Sequence, residues 1–423
     1  MKPTQGKRDE SMRYKRYKRI LVIVIDSIGV GDAPDAAAFN SEGADTLGHM
    51  ASWWIENQGR ALKLPHMARL GLNNTRPDRP FAGIPTPDMP TGAFGRMQVT
   101  SLGTDSLDGH WEMVCLPTRF HMDYFPQGFP ESVIGKIEEF SGRGVICNMP
   151  YSGTQAIYDY GERQMQTGEL IIYTSSDSVM QIAAHEDVIP VDELYRICSY
   201  ARSLLNGPEI TMGRVIARPY IGPDKEHFTR TARRHDFGLT PVGPTVLDFL
   251  HEAGYNTIAV GKTYDLLCGH GFEEHYRNKS NSDGMDHVDH VMTQDWCGLC
   301  FANLVDFDTL YGHRRDPLGD GLALEDFDRR LGHVLEGMRD DDLIIVTADH
   351  GTDPTYRGTD HTRELVPLLV WSPSLNPGGC DLGLRSTCCD LGATVLDNFN
   401  VPGNGEGTSF LPRLLDVSKS RQV

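Results

Sequence analysis

Five short apolar runs, each followed at once by a polar or Gly-rich turn, restrict the fold of this chain more than any other feature. They begin in "RILVIVID", "NTIAVG", "CFANLVD", "DDLIIVTAD" and "VPLLVWS". Stretches of helical period separate several of them, such as "PTVLDFLHEAG", in which Gly254 is the expected C-cap, and "ALEDFDRRLGHVLEGM". Buried strands that alternate with helices predict a parallel sheet. We therefore expect an α/β fold in which helices sandwich a parallel-rich sheet.

The alternation of strands and helices is interrupted once, between residues 119 and 237. This stretch is rich in Pro, Gly and aromatic residues, as in "FHMDYFPQGFPES" and "GRVIARPYIGPDKEHF". The pattern resumes after it, which indicates an insertion into one larger domain. We predict a core formed by residues 1–118 and 238–423, and an inserted α+β cap domain formed by residues 119–237.

Charge and cysteine usage limit the partners and the compartment of this 423-residue chain. A net charge of −18 argues against nonspecific nucleic-acid binding, which needs basic surface. The apolar run from Ile20 to Ile25 stops at Asp26 and is too short for a signal peptide or a membrane span, so we expect no membrane association. Nine scattered cysteines fit reduced thiols and a cytoplasmic location, and the Cys297-x-x-Cys300 pair lacks the second pair of a zinc site.

Acidic and histidine side chains follow the apolar runs at four places. They are Asp26, the Asp308–His313 span, the Asp349–His350 pair and His361. Each alone has an ordinary interpretation, since an Asp after a strand is often a helix N-cap and a lone His is often a core residue. In a parallel sheet, however, the carboxyl ends of the strands meet at one edge. Carboxylates and imidazoles without thiolates suit Mn²⁺, Zn²⁺ or Mg²⁺, so we predict two divalent metal ions.

A turn rich in small residues, "TSLGTDSLDGHWE", carries the hydroxyls of Ser101, Thr104 and Ser106. An ordinary Ser/Thr turn would have this composition. A hydroxyl next to metal ions could also act as a nucleophile, because coordination favours the alkoxide. The residues alone leave both interpretations open.

Longer motifs resolve this choice by resemblance. The segments "VIDSIGVGDAPDA", "YTSSDSVMQIAAHE", "FTRTARRHD", "NLVDFDTLYGHRRDP" and "TADHGTDPTYRGTDHTRE" resemble the phosphopentomutase family, a branch of the alkaline phosphatase superfamily. The resemblance covers residues 17–416. It implies an alkaline-phosphatase-like core and an isomerase that interconverts (deoxy)ribose 1-phosphate and 5-phosphate. It also implies a phosphoenzyme, a bisphosphate intermediate and a sugar bisphosphate activator.

The resemblance assigns roles to individual residues. Ser106, in the run Gly103-Thr104-Asp105-Ser106, takes the place of the family's threonine nucleophile. The expected cations are two manganese ions, with zinc and magnesium as alternatives. One ion would be held by Asp26, Asp349 and His350, and the other by Asp308, His313 and His361. The expected phosphate ligands are Arg214, Arg230 and Lys262, and the expected sugar-site residues are Ser175, Asp177, Val179 and Ile216.

Four positions depart from the family pattern, namely Thr104, Asp108, Met149 and Tyr151. Thr104 replaces a lysine and Asp108 a small hydroxyl residue, which alters the charge expected beside a transferring phosphoryl group. A mutase for a different phosphosugar, a phosphatase or phosphodiesterase with the same metal core, and a metal-binding scaffold without catalysis therefore remain as alternatives.

Overall fold

The computed structural model describes residues 16–175, 178–207, 210–375 and 378–419. The described residues form two compact units. One unit, here named the core unit, is drawn from Met1–Arg119 and Pro241–Val423. The other, here named the inserted unit, is Phe120–Thr240.

Fourteen strands are named in chain order. They are β1 Arg19–Ile25, β2 Ala93–Met97, β3 Val145–Pro150, β4 Leu170–Thr174, β5 Val179–His185, β6 Arg214–Ile221, β7 Thr229–Arg230, β8 His235–Gly238, β9 Asn256–Val260, β10 Glu274–Tyr276, β11 Gly298–Leu304, β12 Asp342–Thr347, β13 Val366–Trp371 and β14 Cys380–Arg385.

Twelve α-helices accompany them within the described residues. They are α1 Thr46–Gln58, α2 Pro65–Leu70, α3 Ser106–Met113, α4 Glu131–Ser141, α5 Gly153–Thr167, α6 Val191–Leu204, α7 Val246–Glu252, α8 Thr263–Leu266, α9 Asn281–Thr293, α10 Pro317–Gly337, α11 Cys389–Asn398 and α12 Leu411–Lys419. A π-helix occupies Phe307–Gly312, and short 3₁₀ turns occupy Ala36–Phe39 and Asn73–Thr75.

The core unit is built on an eight-stranded sheet with the order β10-β9-β11-β1-β12-β13-β2-β14. Strands β10, β9, β11, β1 and β12 run parallel, whereas β13 is antiparallel to both of its neighbours. All seven residues of β1 are buried, which is the pattern of a central parallel strand covered on both faces. The predicted α/β class with a parallel-rich sheet is confirmed.

The inserted unit has its own six-stranded sheet, in which β3-β4-β5-β6-β7 are neighbours and β8 also pairs with β6. Two of its pairs, β3 with β4 and β5 with β6, are parallel, and helices α5 and α6 connect them. One sheet face packs on α4 and α6 through Ile137, Ile182 and Ile197. The other face packs on α5 through Tyr173, Ala183 and Tyr220. The inserted unit therefore has hydrophobic packing on both faces of its sheet.

The chain leaves and re-enters the core unit at neighbouring positions. The amide of Val246, at the start of α7, donates to the carbonyl of Val114, just after α3, across 3.0 Å. A Cβ on Gly243 would lie 3.4 Å from Cδ1 of Leu116. The two core segments that flank the insertion are thus side by side. Among the described residues, every helix is too short or too polar to cross a membrane.

Candidate metal centre and nucleophile

The predicted metal ligands follow the carboxyl ends of adjacent parallel strands. Asp26 comes directly after β1, and Asp349 and His350 come shortly after β12. Asp308 lies on the π-helix that follows β11, and such helices often occur at functional sites. Because β11, β1 and β12 are adjacent and parallel, their ends meet at one edge of the sheet. The topology therefore brings distant parts of the chain together.

The first group consists of Asp26, Asp349 and His350, with one ligand atom of each within 4.8 Å of the others. His350 Nε2 lies 3.5 Å from Asp26 Oδ1 and 3.3 Å from Asp349 Oδ2. Both of these oxygens are buried and have no hydrogen-bond partner among the described residues. Buried carboxylate oxygens without donors are costly unless a cation compensates them. The donor set therefore fits a divalent metal ion.

The second group surrounds Asp308. Its Oδ1 lies 3.3 Å from Nε2 of His313 and 3.3 Å from Nε2 of His361, and the two Nε2 atoms are 3.1 Å apart. The side chain of His313 is 40% exposed, so this group is closer to solvent than the first. His350 also lies within 4.8 Å of Asp308 and His361 by their ligand atoms. The six residues thus form two adjoining groups at the same edge of the core sheet.

Backbone carbonyls orient two of the imidazoles. Nδ1 of His350 is 3.1 Å from the carbonyl oxygen of Gly351, and Nδ1 of His313 is 2.5 Å from that of Thr359. A carbonyl only accepts, so each Nδ1 carries the proton and donates. The Nε2 lone pairs then point toward the carboxylates, which is the tautomer that metal-binding histidines adopt.

The titration behaviour of the site reflects crowded charge. Burial and the neighbouring Asp349 carboxylate raise the pKa of Asp26 to about 7. Burial lowers the pKa of His350 to about 4, which keeps its imidazole neutral and able to bind a cation. Although burial opposes it, the hydrogen bond and charge of His361 hold the pKa of Asp308 below its usual value. A bound cation would further favour the ionised carboxylates.

The close spacing of the two Asp-His pairs in the sequence has a structural reason. Gly351 and Thr362 exchange backbone hydrogen bonds of 3.2 and 2.8 Å, which folds the intervening loop back on itself. This pairing brings the rings of His350 and His361 to 4.0 Å between centroids. A Cβ at Gly351 would lie 2.2 Å from Oε1 of the buried Glu364, so the segment requires glycine there.

The predicted nucleophile, Ser106, is the first residue of α3 and is 4% exposed. Its Oγ lies 3.2 Å from His350 Nε2 and accepts a hydrogen bond of 2.8 Å from Lys262 Nζ. Lys262 follows β9 and lies 3.8 Å from Asp26 Oδ2. Burial lowers the pKa of Lys262, but the carboxylates of the site outweigh burial and raise it overall. The structure thus places Lys262 beside Ser106, in a different unit from Arg214 and Arg230.

Asp108 is buried and helps to cap α3, the helix that begins with Ser106. The side chain of Asp105 accepts from the amide of Asp108, and Asp108 accepts from the amide of Asp105, which makes a reciprocal capping box. Thr118 also donates its hydroxyl to Asp108. Burial and the nearby Asp105 raise the pKa of Asp108 to about 7. The departure from the family pattern at this position therefore has a local structural role.

Two residues that were not predicted from the sequence, Glu112 and Arg363, hold the turn at residues 100–105, here named the nucleophile turn because it precedes the predicted nucleophile Ser106. The buried carboxylate of Glu112 accepts from the amides and hydroxyls of Thr100 and Ser101, and from Thr387 and Cys388 in a distant segment. Its position in the quoted "GHWE" motif was the available signal.

Arg363 holds the same turn from the opposite direction. One of its guanidinium nitrogens donates to the carbonyls of Ser101 and Gly103 at 2.8 and 3.0 Å, while the rest pairs with Asp35. Arg363 lies two residues after His361, so one segment supplies a predicted metal ligand and a brace for the nucleophile turn.

A buried histidine links α3 to the first group. His110 Nδ1 lies 2.8 Å from the carbonyl oxygen of Ser106, which accepts its proton, and 3.2 Å from Asp349 Oδ2. Its Nε2 lies 3.0 Å from Nδ2 of Asn303, which also donates to Asp26 across 2.9 Å. His110 and Asn303 thus bridge two predicted metal ligands, and neither was predicted from the sequence.

The other predicted substrate residues lie in the inserted unit. Val179 on β5 pairs with Arg214 on β6, and Ile216 follows on the same face of β6. The side chain of Arg214 is 48% exposed and lies 3.8 Å from Asp236. Arg230 lies on the short strand β7. Ser175 follows β4, and Asp177 lies outside the described residues.

Sequence comparisons relate this chain to known proteins. Residues 18–403 match the model of the Metalloenzyme superfamily. The phosphopentomutase of Limosilactobacillus reuteri is 61% identical over 394 residues, which cover 93% of this chain and 98% of that protein. The phosphopentomutase of Levilactobacillus brevis is 60% identical over 399 residues, which cover 94% and 100%.

Two solved structures are similar at low sequence identity. The PH0037 protein from Pyrococcus horikoshii is 14% identical with a TM-score of 0.47, and the match covers 92% of this chain and 99% of that one. The phosphoglycerate mutase of Leishmania mexicana is 13% identical with a TM-score of 0.45, and the match covers 95% and 98%.

Proposed function

Because this chain belongs to the phosphopentomutase family of the Metalloenzyme superfamily, we propose that it moves a phosphoryl group between C1 and C5 of ribose or deoxyribose by way of phospho-Ser106. The chain is a phosphosugar mutase, an isomerase with a small phosphosugar as its substrate. The serine route, the bisphosphate intermediate and the pentose itself are the proposed parts.

One observation carries the proposal, namely the position of the Ser106 hydroxyl. It lies at the start of α3, between Lys262 Nζ at 2.8 Å and His350 Nε2 at 3.2 Å. A serine hydroxyl is a weak nucleophile until its proton is removed or its anion is stabilised. The Lys262 ammonium supplies that stabilisation, and the first amides of α3 add the positive end of a helix dipole.

The cations expected at this centre are two manganese ions, with zinc and magnesium as alternatives. We propose that Asp26, Asp349 and His350 hold one, and that Asp308, His313 and His361 hold the other. When bound, these ions supply positive charge that offsets the negative charge of phosphoryl oxygens. The buried, unpartnered oxygens of Asp26 and Asp349 support this assignment.

The proposed reaction consists of two phosphoryl transfers. In the first, the bond between phosphorus and the Ser106 oxygen breaks as a hydroxyl of the sugar monophosphate forms a bond to phosphorus. The Ser106 oxygen leaves with negative charge that Lys262 is positioned to stabilise, and the proton that the sugar hydroxyl loses passes to this oxygen, which restores the serine hydroxyl. In the second, Ser106 takes the other phosphoryl group from the resulting bisphosphate. A sugar bisphosphate would prime the enzyme by the same step.

We propose that the inserted unit recognises the part of the substrate that does not react. Arg214 and Arg230 are assigned to the distant phosphate, because a guanidinium can donate two parallel hydrogen bonds to phosphate. Lys262 shares this phosphate assignment from the sequence, although its contact with Ser106 favours a role in the transfer itself. Ser175, Asp177, Val179 and Ile216 are assigned to the sugar.

We also place the enzyme in the cytoplasm. None of the nine cysteines forms a disulfide within the described residues, which is expected of a protein in a reducing compartment.

Intact-mass spectrometry after incubation with manganese and a sugar bisphosphate tests the proposal. The wild-type chain is expected to gain one phosphoryl group and the Ser106→Ala variant none, with loss of ribose 1-phosphate turnover. Ser106→Thr should retain both properties, since it keeps the hydroxyl. Rapid release of inorganic phosphate would instead indicate a hydrolase. Faster turnover of a hexose phosphate would indicate a different phosphosugar, and full activity of Ser106→Ala would contradict the serine route.

A further inference from the structure

We propose that the N-terminus of α5, the Tyr173 hydroxyl, and the guanidinium groups of Arg218 and Arg230 form a phosphate cradle in the inserted unit. This inference rests on the proposed function, because the cradle would hold the phosphate that is not being transferred. It adds three groups to the predicted Arg230, namely Tyr173, Arg218 and the first amides of α5. The ligand class is the dianion of a phosphate monoester.

The first turn of α5 has free backbone donors. Its N-cap residue, Ser152, makes no side-chain capping hydrogen bond. The first intrahelical bond runs from the amide of Ala156 to the carbonyl of Ser152. The amides of Gly153, Thr154 and Gln155 therefore have no acceptor within the described part of the helix. Amides in this position, together with the helix dipole, attract anions.

A buried hydroxyl points at this helix end. Tyr173 on β4 is fully buried, and its hydroxyl has no hydrogen-bond partner among the residues that the structure describes. A Cβ built on Gly153 would lie 2.3 Å from that hydroxyl oxygen, so the hydroxyl is aimed at the first residue of α5. A buried hydroxyl without a partner costs free energy, and a ligand oxygen would satisfy it.

Glycine at the first position of α5 lets the donors of the cradle converge on the helix end. The same Cβ would lie 2.4 Å from a terminal nitrogen of Arg230, which places the Arg230 guanidinium next to the Tyr173 hydroxyl. A side chain at Gly153 would collide with both of these donors. Only a residue without a Cβ lets the phenol and the guanidinium approach the first helix amides this closely.

The positive charge of the cradle is not neutralised by protein. Arg230 makes no ion pair with any described carboxylate, and Arg218 donates only to the neutral Oε1 of Gln181, at 3.0 Å. Burial and the nearby Arg234 and Arg230 charges lower the pKa of Arg218. The Asp236 carboxylate also acts on Arg218 but forms its ion pair with Arg234, at 2.7 Å. Arg218 and Arg230, which crowd together without an ion pair of their own, favour an anion between them.

The cradle adjoins the predicted sugar residues through the sheet. Tyr173 pairs in register with Gln181, and Gln181 pairs with Ile216. Arg218 follows Ile216 on the same face of β6, where side chains two positions apart share a face. A phosphate in the cradle would thus lie on the sheet face that carries Val179 and Ile216, which the sequence analysis assigned to the sugar.

Two variants test the cradle, and the first of them leaves the packing of the fold unchanged. Tyr173→Phe removes only the hydroxyl that lacks a partner, so the melting temperature is expected to stay the same or rise. The dissociation constant for ribose 5-phosphate, measured by calorimetry with manganese-loaded enzyme, is expected to rise about tenfold or more. KM should rise by a similar factor, and kcat should stay within about twofold of the wild-type value. Gly153→Ala should weaken binding at least as much, because its Cβ would displace the Tyr173 hydroxyl and the Arg230 guanidinium.

Tyr220→Phe is the matched control. Tyr220 lies on the same sheet face and is equally buried, but its hydroxyl lies 2.8 Å from Oε1 of Gln164 and 3.2 Å from the carbonyl oxygen of Gly161, and either oxygen can accept its proton. This variant is expected to lower the melting temperature while leaving the affinity for ribose 5-phosphate unchanged. If Tyr173 had only a structural role, Tyr173→Phe would instead behave like Tyr220→Phe, with a lower melting temperature and an unchanged affinity.

The outcomes separate the cradle from the proposed function. If wild-type enzyme interconverts ribose 5-phosphate and ribose 1-phosphate but Tyr173→Phe and Gly153→Ala bind ribose 5-phosphate like wild type, the cradle is refuted and the mutase stands. If the wild-type enzyme does not interconvert them, but both variants bind ribose 5-phosphate more weakly than wild type does, the cradle stands without the mutase. The variants could instead change the inhibition by inorganic phosphate and leave KM for ribose 5-phosphate unchanged. That result would overturn the assignment of the cradle to the phosphate of the substrate.

Discussion

The ammonium group of Lys262 donates a hydrogen bond of 2.8 Å to the hydroxyl oxygen of Ser106, although 156 positions separate them in the chain. Lys262 follows β9, and Ser106 begins α3 after a turn fixed by Glu112 and Arg363. In the proposed reaction, the contact places a positive charge where negative charge develops as the Ser106 oxygen leaves phosphorus.

Lys262→Met is expected to lower kcat by a factor of about 10² to 10³, because it removes this charge from the transition state. KM for ribose 1-phosphate should change much less. Steady-state kinetics measure both, and metal analysis should show that manganese content is retained. Lys279→Met, which changes an exposed lysine of the same unit, is the control. A Lys262→Met enzyme with near wild-type kcat would show that the contact has no catalytic role.

His361→Ala should reduce the manganese bound per chain by about half, since His361 is assigned to one of two ions. His333→Ala removes an exposed histidine of α10 and should leave the metal content unchanged. Equilibrium dialysis followed by elemental analysis provides the measurement. Equal metal content in the two variants would exclude His361 as a ligand.

Gly109→Ala should destabilise the protein and slow turnover. A glycine in a helix usually costs about 0.5–1 kcal/mol relative to alanine, so the substitution would ordinarily stabilise. Here the added Cβ would lie 2.3 Å from the backbone carbonyl oxygen of Asp349, and α3 or Asp349 would have to move. Ser106 is carried by the same helix.

Gly135→Ala is the matched comparison, because no atom lies within 4 Å of a Cβ at that helical position. It should stabilise the inserted unit by about 0.5–1 kcal/mol and leave kcat unchanged. The melting temperature should therefore fall in Gly109→Ala and rise in Gly135→Ala, and kcat should fall in Gly109→Ala alone. A stabilised, fully active Gly109→Ala enzyme would mean that α3 does not approach Asp349 closely.

Glu364 should make stability fall as pH rises. Burial raises its pKa from 4.5 to about 7, despite hydrogen bonds from Thr46 and Thr362. A carboxyl with a raised pKa in the folded state contributes stability below its unfolded pKa, and this contribution is lost as pH increases through the folded pKa.

Glu364→Gln removes this titration while keeping a side chain of similar shape. The unfolding free energy of wild type should therefore decrease relative to that of the variant between pH 4.5 and about 7. Denaturant titrations of both proteins at several pH values, with saturating manganese, give the difference. A difference that is constant across this range would show that Glu364 titrates normally.

The sequence predicted the core sheet because its central strands are continuous apolar runs. It did not predict β2 or β14, whose sequences "AFGRM" and "CDLGLR" mix small, charged and apolar residues and lack such a run. These strands complete one side of the sheet beyond the antiparallel β13. Tertiary pairing, rather than local propensity, explains their conformation.

The structure places the six predicted ligands next to one another because they lie after parallel strands, a relationship that apolar runs reveal. The bridging role of His110 and Asn303 could not be derived in this way. Asn303 lies within the apolar run of β11, and its amide faces Asp26 only once β11 and β1 pair. Lys262 likewise required the order of β9 and β11 in the sheet.

The two core segments that flank the insertion, joined by the hydrogen bond from Val246 to Val114, have an evolutionary consequence. A short linker could close this gap, so the core sheet does not depend on the insertion for its continuity. The inserted unit could therefore be exchanged for another while the edge that carries the predicted ligands stayed the same. If the inserted unit recognises the sugar as proposed, such an exchange would change the substrate and leave the reaction unchanged.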